Sequence, residues 1–194
     1  MPQCIEAVRV CMIGEDGLEH ALTVRGARII NDRWRGEHGW EETPTHVVSG
    51  FTMGLGYQHL AAAHCAIVDH GAQFFVTNPD RSARNHKGIS FPANGGTMAF
   101  LKHSTGREPI VCGKPEPAMF EEAIRRMDAD PRATVVIGDT PETEILGGNR
   151  MGLETWMVMG GSTPTLEGIP PEAHPKKQFA DIAEITAFLR RLKG

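Results

Sequence analysis

The chain has 194 residues, with 20 Lys and Arg against 24 Asp and Glu, a formal net charge of -4, and 40% hydrophobic residues. That length suits one good core or two small lobes, and the scattered basic residues form no stripe that would neutralise a nucleic-acid backbone. No apolar run approaches the roughly 18 residues of a membrane span, and Met1-Pro2-Gln3-Cys4-Ile5-Glu6 has neither the basic nor the apolar part of a secretory leader. The expectation is a cytoplasmic protein with no nucleic-acid and no membrane partner.

Taken in order, residues 8–13 read as a strand ended by Gly14, and residues 15–26 as a short helix with Leu18, Ala21 and Leu22 as its buried stripe. Residues 31–46 show neither period and read as a surface loop. A second strand covers 47–51. The helix over 57–70 has Leu60, Ala63, His64, Ile67 and Val68 on one face and stops at Gly71. Residues 74–77 form a third strand that ends in the polar elbow Asn78-Pro79-Asp80-Arg81, and after a loop rich in Gly and Pro another helix runs over 94–106.

A second lobe starts near Pro109 with a short strand over 110–112 and a helix over 118–127. The β-branched strand 134–137 leads into a helix over about 141–151. An apolar strand over 155–159, a stretch rich in Gly and Pro to Pro175, and a last helix through Lys193 complete the chain. Strands that are apolar without alternation, each followed by a helix, imply a doubly wound parallel α/β sheet with its sites at the carboxyl ends of strands.

The four cysteines, Cys4, Cys11, Cys65 and Cys112, lie far apart in apolar surroundings and read as buried thiols. His59 and His64 are five residues apart, which does not place two ligands on one helical face, so no zinc site is expected.

Two loops carry the chemistry. In Gly113-Lys114-Pro115-Glu116-Pro117 the prolines suit a first helical turn, so backbone N–H groups and the Lys114 ammonium would face one anion; Lys114 as a solvated loop residue is the alternative. In the second loop, Asp139 ends a strand, and Glu142 and Glu144 follow within a turn. Clustered carboxylates of this kind suit Mg²⁺, and they equally suit a helix start, with Asp139 or Thr140 as cap and the glutamates complementing the dipole.

The ordered segments Val-Val-Ser-Gly-Phe (47–51), Thr-Asn-Pro-Asp (77–80), Phe-Pro-Ala-Asn-Gly-Gly (91–96), Gly-Lys-Pro-Glu-Pro (113–117), Gly-Asp-Thr-Pro-Glu-Thr-Glu-Ile-Leu-Gly-Gly (138–148) and Met-Gly-Leu-Glu-Thr (151–155) resemble the later two-thirds of a haloacid dehalogenase (HAD) superfamily phosphatase. The resemblance is to subclass IIA, the NagD-like and 4-nitrophenylphosphatase-like enzymes, and runs from about Val8 to Thr163. It implies an α/β cap of the C2 type over residues 1–108 and the C-terminal half of a HAD-like Rossmannoid core over 109–194.

The resemblance further implies a Mg²⁺-dependent phosphatase acting on a small phosphomonoester. Lys114 matches the catalytic lysine that holds the nucleophile and the transferring phosphoryl group, and Asp139 the magnesium-binding aspartate. Glu144, where the family has a second aspartate, joins the metal set. Asn78, Asp80, Arg81 and Thr140 are the implied substrate-binding residues.

Family chemistry begins with an Asp-x-Asp after an apolar strand, the first Asp attacking phosphorus. Nothing here matches it. Asp128-Ala129-Asp130 follows a helix, and Gly14-Glu15-Asp16-Gly17 puts Gly14 at the nucleophile's position. By resemblance Met1 falls just after that segment, leaving roughly 80–100 residues unaccounted for, a domain-scale length. The expectations are therefore a chain inactive alone, a sheet with an exposed apolar edge beside residues 134–137, and self-association into a homo-oligomer. The alternative is a non-catalytic module that binds a phosphorylated metabolite.

Overall fold

The computed structural model describes residues 8–159 and 165–193 and divides into two units, Met1–Cys112 and Gly113–Gly194. Cys4 and residues 160–164 of the stretch rich in Gly and Pro lie outside the described residues. Among those described, no helix is long and apolar enough to cross a membrane.

The first unit contains β1 (Arg9–Ile13), α1 (Asp16–Thr23), β2 (Arg28–Ile29), β3 (His46–Ser49), α2 (Tyr57–Val68), β4 (Gln73–Val76), β5 (Ser82–Arg84), β6 (Ser90–Pro92), α3 (Asn94–Thr105) and β7 (Ile110–Val111). Its five-stranded sheet has the order β2-β1-β3-β4-β7, and every pair is parallel. The long connections between neighbouring strands, most of them helical, are the crossovers that parallel pairing requires. Chain order reverses between β1 and β3, so the crevice at their carboxyl ends is this unit's natural ligand position.

Cys11, Ile13, Val47, Phe74 and Val76 form the sheet's share of the core, and Ala62, Ala63, Ala66, Ile67 and Leu101 the helices' share. The buried face of α2 is rotated from the expected one, leaving Val68 46% exposed, because small alanines let the helix lie close to the sheet. On α1, Leu18 and Leu22 are half-buried and Ala21 is exposed. The stretch expected to be plain loop holds two short 3₁₀ turns, Asn31–Arg33 and Gly36–His38, with Trp34 and Trp40 packed on the core; β2 lies just before it, in residues the sequence reading left unassigned. The loop before α3 contains the antiparallel hairpin β5–β6.

The strand expected to open the second lobe belongs to the first unit. Phe75 and Val76 of β4 pair with Ile110 and Val111 of β7, which moves the boundary from 108/109 to Cys112/Gly113.

The second unit contains α4 (Ala118–Met127), β8 (Val135–Gly138), α5 (Leu146–Arg150), β9 (Glu154–Val158), β10 (Lys177–Phe179) and α6 (Ile182–Lys193). Its parallel sheet has the order β10-β9-β8. Trp156, Phe179 and Phe188 pack with ring centroids 5.2 to 5.5 Å apart around Ile185. β8 is an edge strand: among the described residues only β9 pairs with it, and Val135 and Ile137 are 36% and 43% exposed.

Cys11 is buried as expected, Cys65 is half-buried, and Cys112 is exposed, because Cys112 follows the edge strand β7 rather than lying within a sheet.

Candidate functional site

The second unit brings the two loops together. β8 delivers Asp139 at its carboxyl end, and residues Pro141–Ile145 then make a wide π-type turn into α5, a geometry that recurs at functional sites. The Lys114 ammonium donates to Glu144 Oε1, and Thr143 Oγ1 donates to Glu144 Oε2 at 2.6 Å. The Lys114 side chain is 38% exposed and that of Glu144 17%.

Two close backbone approaches create this pairing. A Cβ on Gly138 would meet Glu144 Cβ at 2.4 Å, so only glycine lets that side chain lie over the strand end. A Cβ on Gly147 would meet the Phe120 ring at 2.4 Å and the Pro115 carbonyl at 2.8 Å, so α5 docks directly on the lysine loop and α4. Residue types that look like turn punctuation in the sequence thus set the distance between a cation and a carboxylate.

Two features differ from the expected local geometry. Of the two prolines only Pro117 stands at a helix start, α4 beginning at Ala118, whereas Pro115 lies outside it and follows a cis peptide. Glu142 is exposed, and among the described residues no three His, Cys, Asp or Glu side chains gather as a cage. The three carboxylates therefore do not converge. Thr140 occupies the cap position of the turn without a side-chain capping bond, and its hydroxyl donates to Asp139 Oδ1 at 3.4 Å.

An open cavity of about 650 Å³ lies at this strand end, lined by Ile137, Gly138, Asp139, Val158, Asp181 and Ile182 among others. Asp139 and Asp181 are the carboxylates on its wall, and Asp181 Oδ1 accepts from Glu184 N at 2.8 Å. Mg²⁺ does not need a protein cage: one or two carboxylates suffice, with waters and a substrate phosphate completing the octahedron. The donor set therefore fits that ion.

The expected substrate elbow lies in the first unit, after β4. Asn78 Nδ2 donates to Asp80 Oδ2, and the carbonyls of Asn78 and Asp80 accept from Asn94 Nδ2 (3.0 Å) and Gly95 N (2.8 Å) at the start of α3. Asn94, 1% exposed, also exchanges bonds with Ser49, whose hydroxyl donates to Asn94 Oδ1 at 2.6 Å and whose carbonyl accepts from Nδ2 at 3.0 Å. Asp80 and Arg81 are exposed. The sequence reading did not single out Asn94 or Ser49; a polar residue at each of two helix and strand ends was the only signal.

A family model described as HAD-hydrolase-like matches residues 111–185. The D-glycerol 3-phosphate phosphatase of Mycobacterium tuberculosis is 34% identical over 88% of this chain and 45% of its own length. An acid sugar phosphatase of Staphylococcus aureus is 34% identical over 94% of this chain and 66% of its own. The crystal structure of the M. tuberculosis glycerol phosphate phosphatase in complex with magnesium superposes with a TM-score of 0.81 at 32% identity, covering 94% of this chain and 53% of that one. NagD of Escherichia coli K-12 gives 0.77 at 29% identity over 92% of this chain and 66% of its own. The chain thus spans about half to two-thirds of the length of the relatives it matches.

Proposed function

We propose that this chain, which belongs to the HAD-like hydrolase family in its subclass IIA, supplies the supporting half of a Mg²⁺-dependent phosphomonoesterase site, with residues 113–194 as core and the first unit as cap. Lys114 neutralises the phosphoryl oxygens, and Asp139 is the carboxylate that holds the cation, whose chemistry when bound is to offset charge on phosphate. Glu144 keeps the Lys114 ammonium over the strand end and would join Asp139 in the cation's ligand set. Thr140 donates to the same phosphate. The observation that carries the reading is the Lys114–Glu144 pair at the end of β8, one turn from Asp139.

The substrate is a small phosphorylated metabolite of the polyol or sugar class, supported by the names of the relatives and by the polar elbow Asn78, Asp80 and Arg81. The setting is cytoplasmic, without a nucleic-acid or membrane partner. The 194 residues hold no Asp-x-Asp after an apolar strand, and an in-line carboxylate is what phosphoenzyme formation requires. By themselves they bind phosphate and do not turn it over. The edge of β8, with Val135 and Ile137 exposed, accepts another strand, and the chain self-associates through it in isolation.

Calorimetric titration of the protein with inorganic phosphate, with and without Mg²⁺, tests the reading. Saturable binding that Mg²⁺ strengthens and Asp139→Asn abolishes is the expected result. Phosphate binding indifferent to both Lys114→Met and Asp139→Asn would sink it.

A further inference from the structure

Asn94, buried at the start of α3, stands where the carboxyl ends of β3 and β4 meet that helix. Its amide donates to the Ser49 and Asn78 carbonyls, each at 3.0 Å, and its Oδ1 accepts from the Ser49 hydroxyl at 2.6 Å. Both donors and the acceptor are thus in use, and no buried side-chain nitrogen or oxygen among the described residues lacks a partner. On either side of it, Gly95 N donates to the Asp80 carbonyl at 2.8 Å and Ala93 N to the Arg81 carbonyl at 3.1 Å. A Cβ on Gly95 would lie 2.5 Å from the carbonyl oxygens of Pro79 and Asp80, so α3 meets the elbow backbone directly.

Three carbonyls of the elbow therefore face residues 93–95, which leaves the side chains of Asp80 and Arg81 turned to solvent. We infer that Asn94 is a positioning residue for substrate: it fixes the path of the elbow backbone, and through it the direction in which Asp80 and Arg81 meet a polyol or sugar group. The inference rests on the proposed reading of the elbow as substrate-facing, and Asn94 itself touches no substrate.

The chemistry of the clamp favours this role over plain stability. A leucine of similar size would fill the same space without burying polar groups, and a satisfied buried hydrogen bond adds little net stability. What such a network does supply is a single geometry. Only a planar amide presents two donors and one acceptor here, so it can hold the end of β3 and the elbow after β4 in one register. Polar groups recognise a ligand in proportion to how well they are placed before it arrives.

The test is isothermal titration of the whole protein, in Mg²⁺, with glycerol 3-phosphate and with inorganic phosphate, read as the ratio of the two affinities. Asn94→Ala should lower that ratio about 5-fold, the value of one hydrogen bond, and leave inorganic phosphate unchanged. Ser49→Ala removes the bond to Oδ1 and keeps the one to Asn78; it should lower the melting temperature by about 2–4 °C and keep the ratio. If Asn94→Ala does not fold, Asn94→Asp, which keeps the acceptor for Ser49 and gives up both amide donors, decides by the same ratio. Asp80→Ala separates the two readings. A ratio that Asp80→Ala leaves unchanged would take the elbow out of contact with the ligand, and the inference would fall with the reading beneath it. A ratio that falls in Asp80→Ala and holds in the Asn94 variants would overturn the inference alone. So would an equal fall in Ser49→Ala, which would make Asn94 an ordinary part of the core.

Discussion

Lys114 and Glu144, thirty residues apart, are joined by a direct ammonium–carboxylate bond at the carboxyl end of β8. The side chains are 38% and 17% exposed, so the pair's effect on stability is about 0–1 kcal/mol. Its consequence for binding is larger. Lys114→Met should barely move the melting temperature while weakening phosphate about 10- to 100-fold, the range of a hydrogen bond to a charged group. Glu144→Gln should do the reverse in metal-free buffer, tightening phosphate several-fold by removing the competing carboxylate. Isothermal titration of the two variants reads both signs.

Gly138→Ala should be more damaging than its size suggests. The added methyl would lie 2.4 Å from Glu144 Cβ and 2.6 Å from Cγ, and a Cβ atom cannot swing away as a side-chain end can. Overpacking of this kind costs about 1–3 kcal/mol. Urea unfolding should register that loss. Wild-type stability in this variant would contradict the close approach.

How much of this was legible beforehand follows from the forces involved. α4 and β8 were readable because their periodicity and β-branching are local, and the position of both loops at strand ends followed from the parallel topology. β5, β6 and β10 were not: each is three residues long, and Lys177-Gln178-Phe179 is a strand only because β9 lies beside it. β7 went to the wrong lobe for the same reason, its two residues being fixed by pairing with β4. At the site, the residue types were legible and the Lys114–Glu144 bond was not, since it depends on how closely Gly138 and Gly147 allow backbone to approach.

Acid should loosen the second unit through Glu154. Its carboxyl is held below the usual carboxylate range, first by the Lys177 ammonium and then by the Trp156 indole, which donates at 2.8 Å. A group depressed in the folded state stabilises fully above its unfolded pKa of about 4.3 and loses that contribution as pH falls through the folded value. Glu154→Gln should therefore lower the melting temperature near neutrality, and the gap from wild type should close below that range. A gap that persists in acid would remove the charge from the explanation.

The thiols should react unequally. Burial pushes Cys11 up to about 12, with Cys65 adding to the effect, while Cys112 is raised by burial to a lesser extent and is exposed. Iodoacetamide at pH 8, followed by peptide mass spectrometry, should label Cys112 on the order of 100-fold or more faster than Cys11, because only the thiolate reacts. In urea the two rates should converge. Rapid labelling of Cys11 in the folded protein would mean that β1 opens far more readily than a core strand should.

On the function proposed above, these 194 residues carry the half of a phosphoryl-transfer site that binds and none of the half that attacks. The most direct measurement is hydrolysis of 4-nitrophenyl phosphate by the pure protein across a Mg²⁺ titration, with Asp139→Asn in parallel. The predicted result is no turnover above the Asp139→Asn background at any Mg²⁺ concentration, from a protein that still binds phosphate. Robust Mg²⁺-dependent hydrolysis that Asp139→Asn abolishes would contradict it, and would mean that a carboxylate within this chain performs the attack.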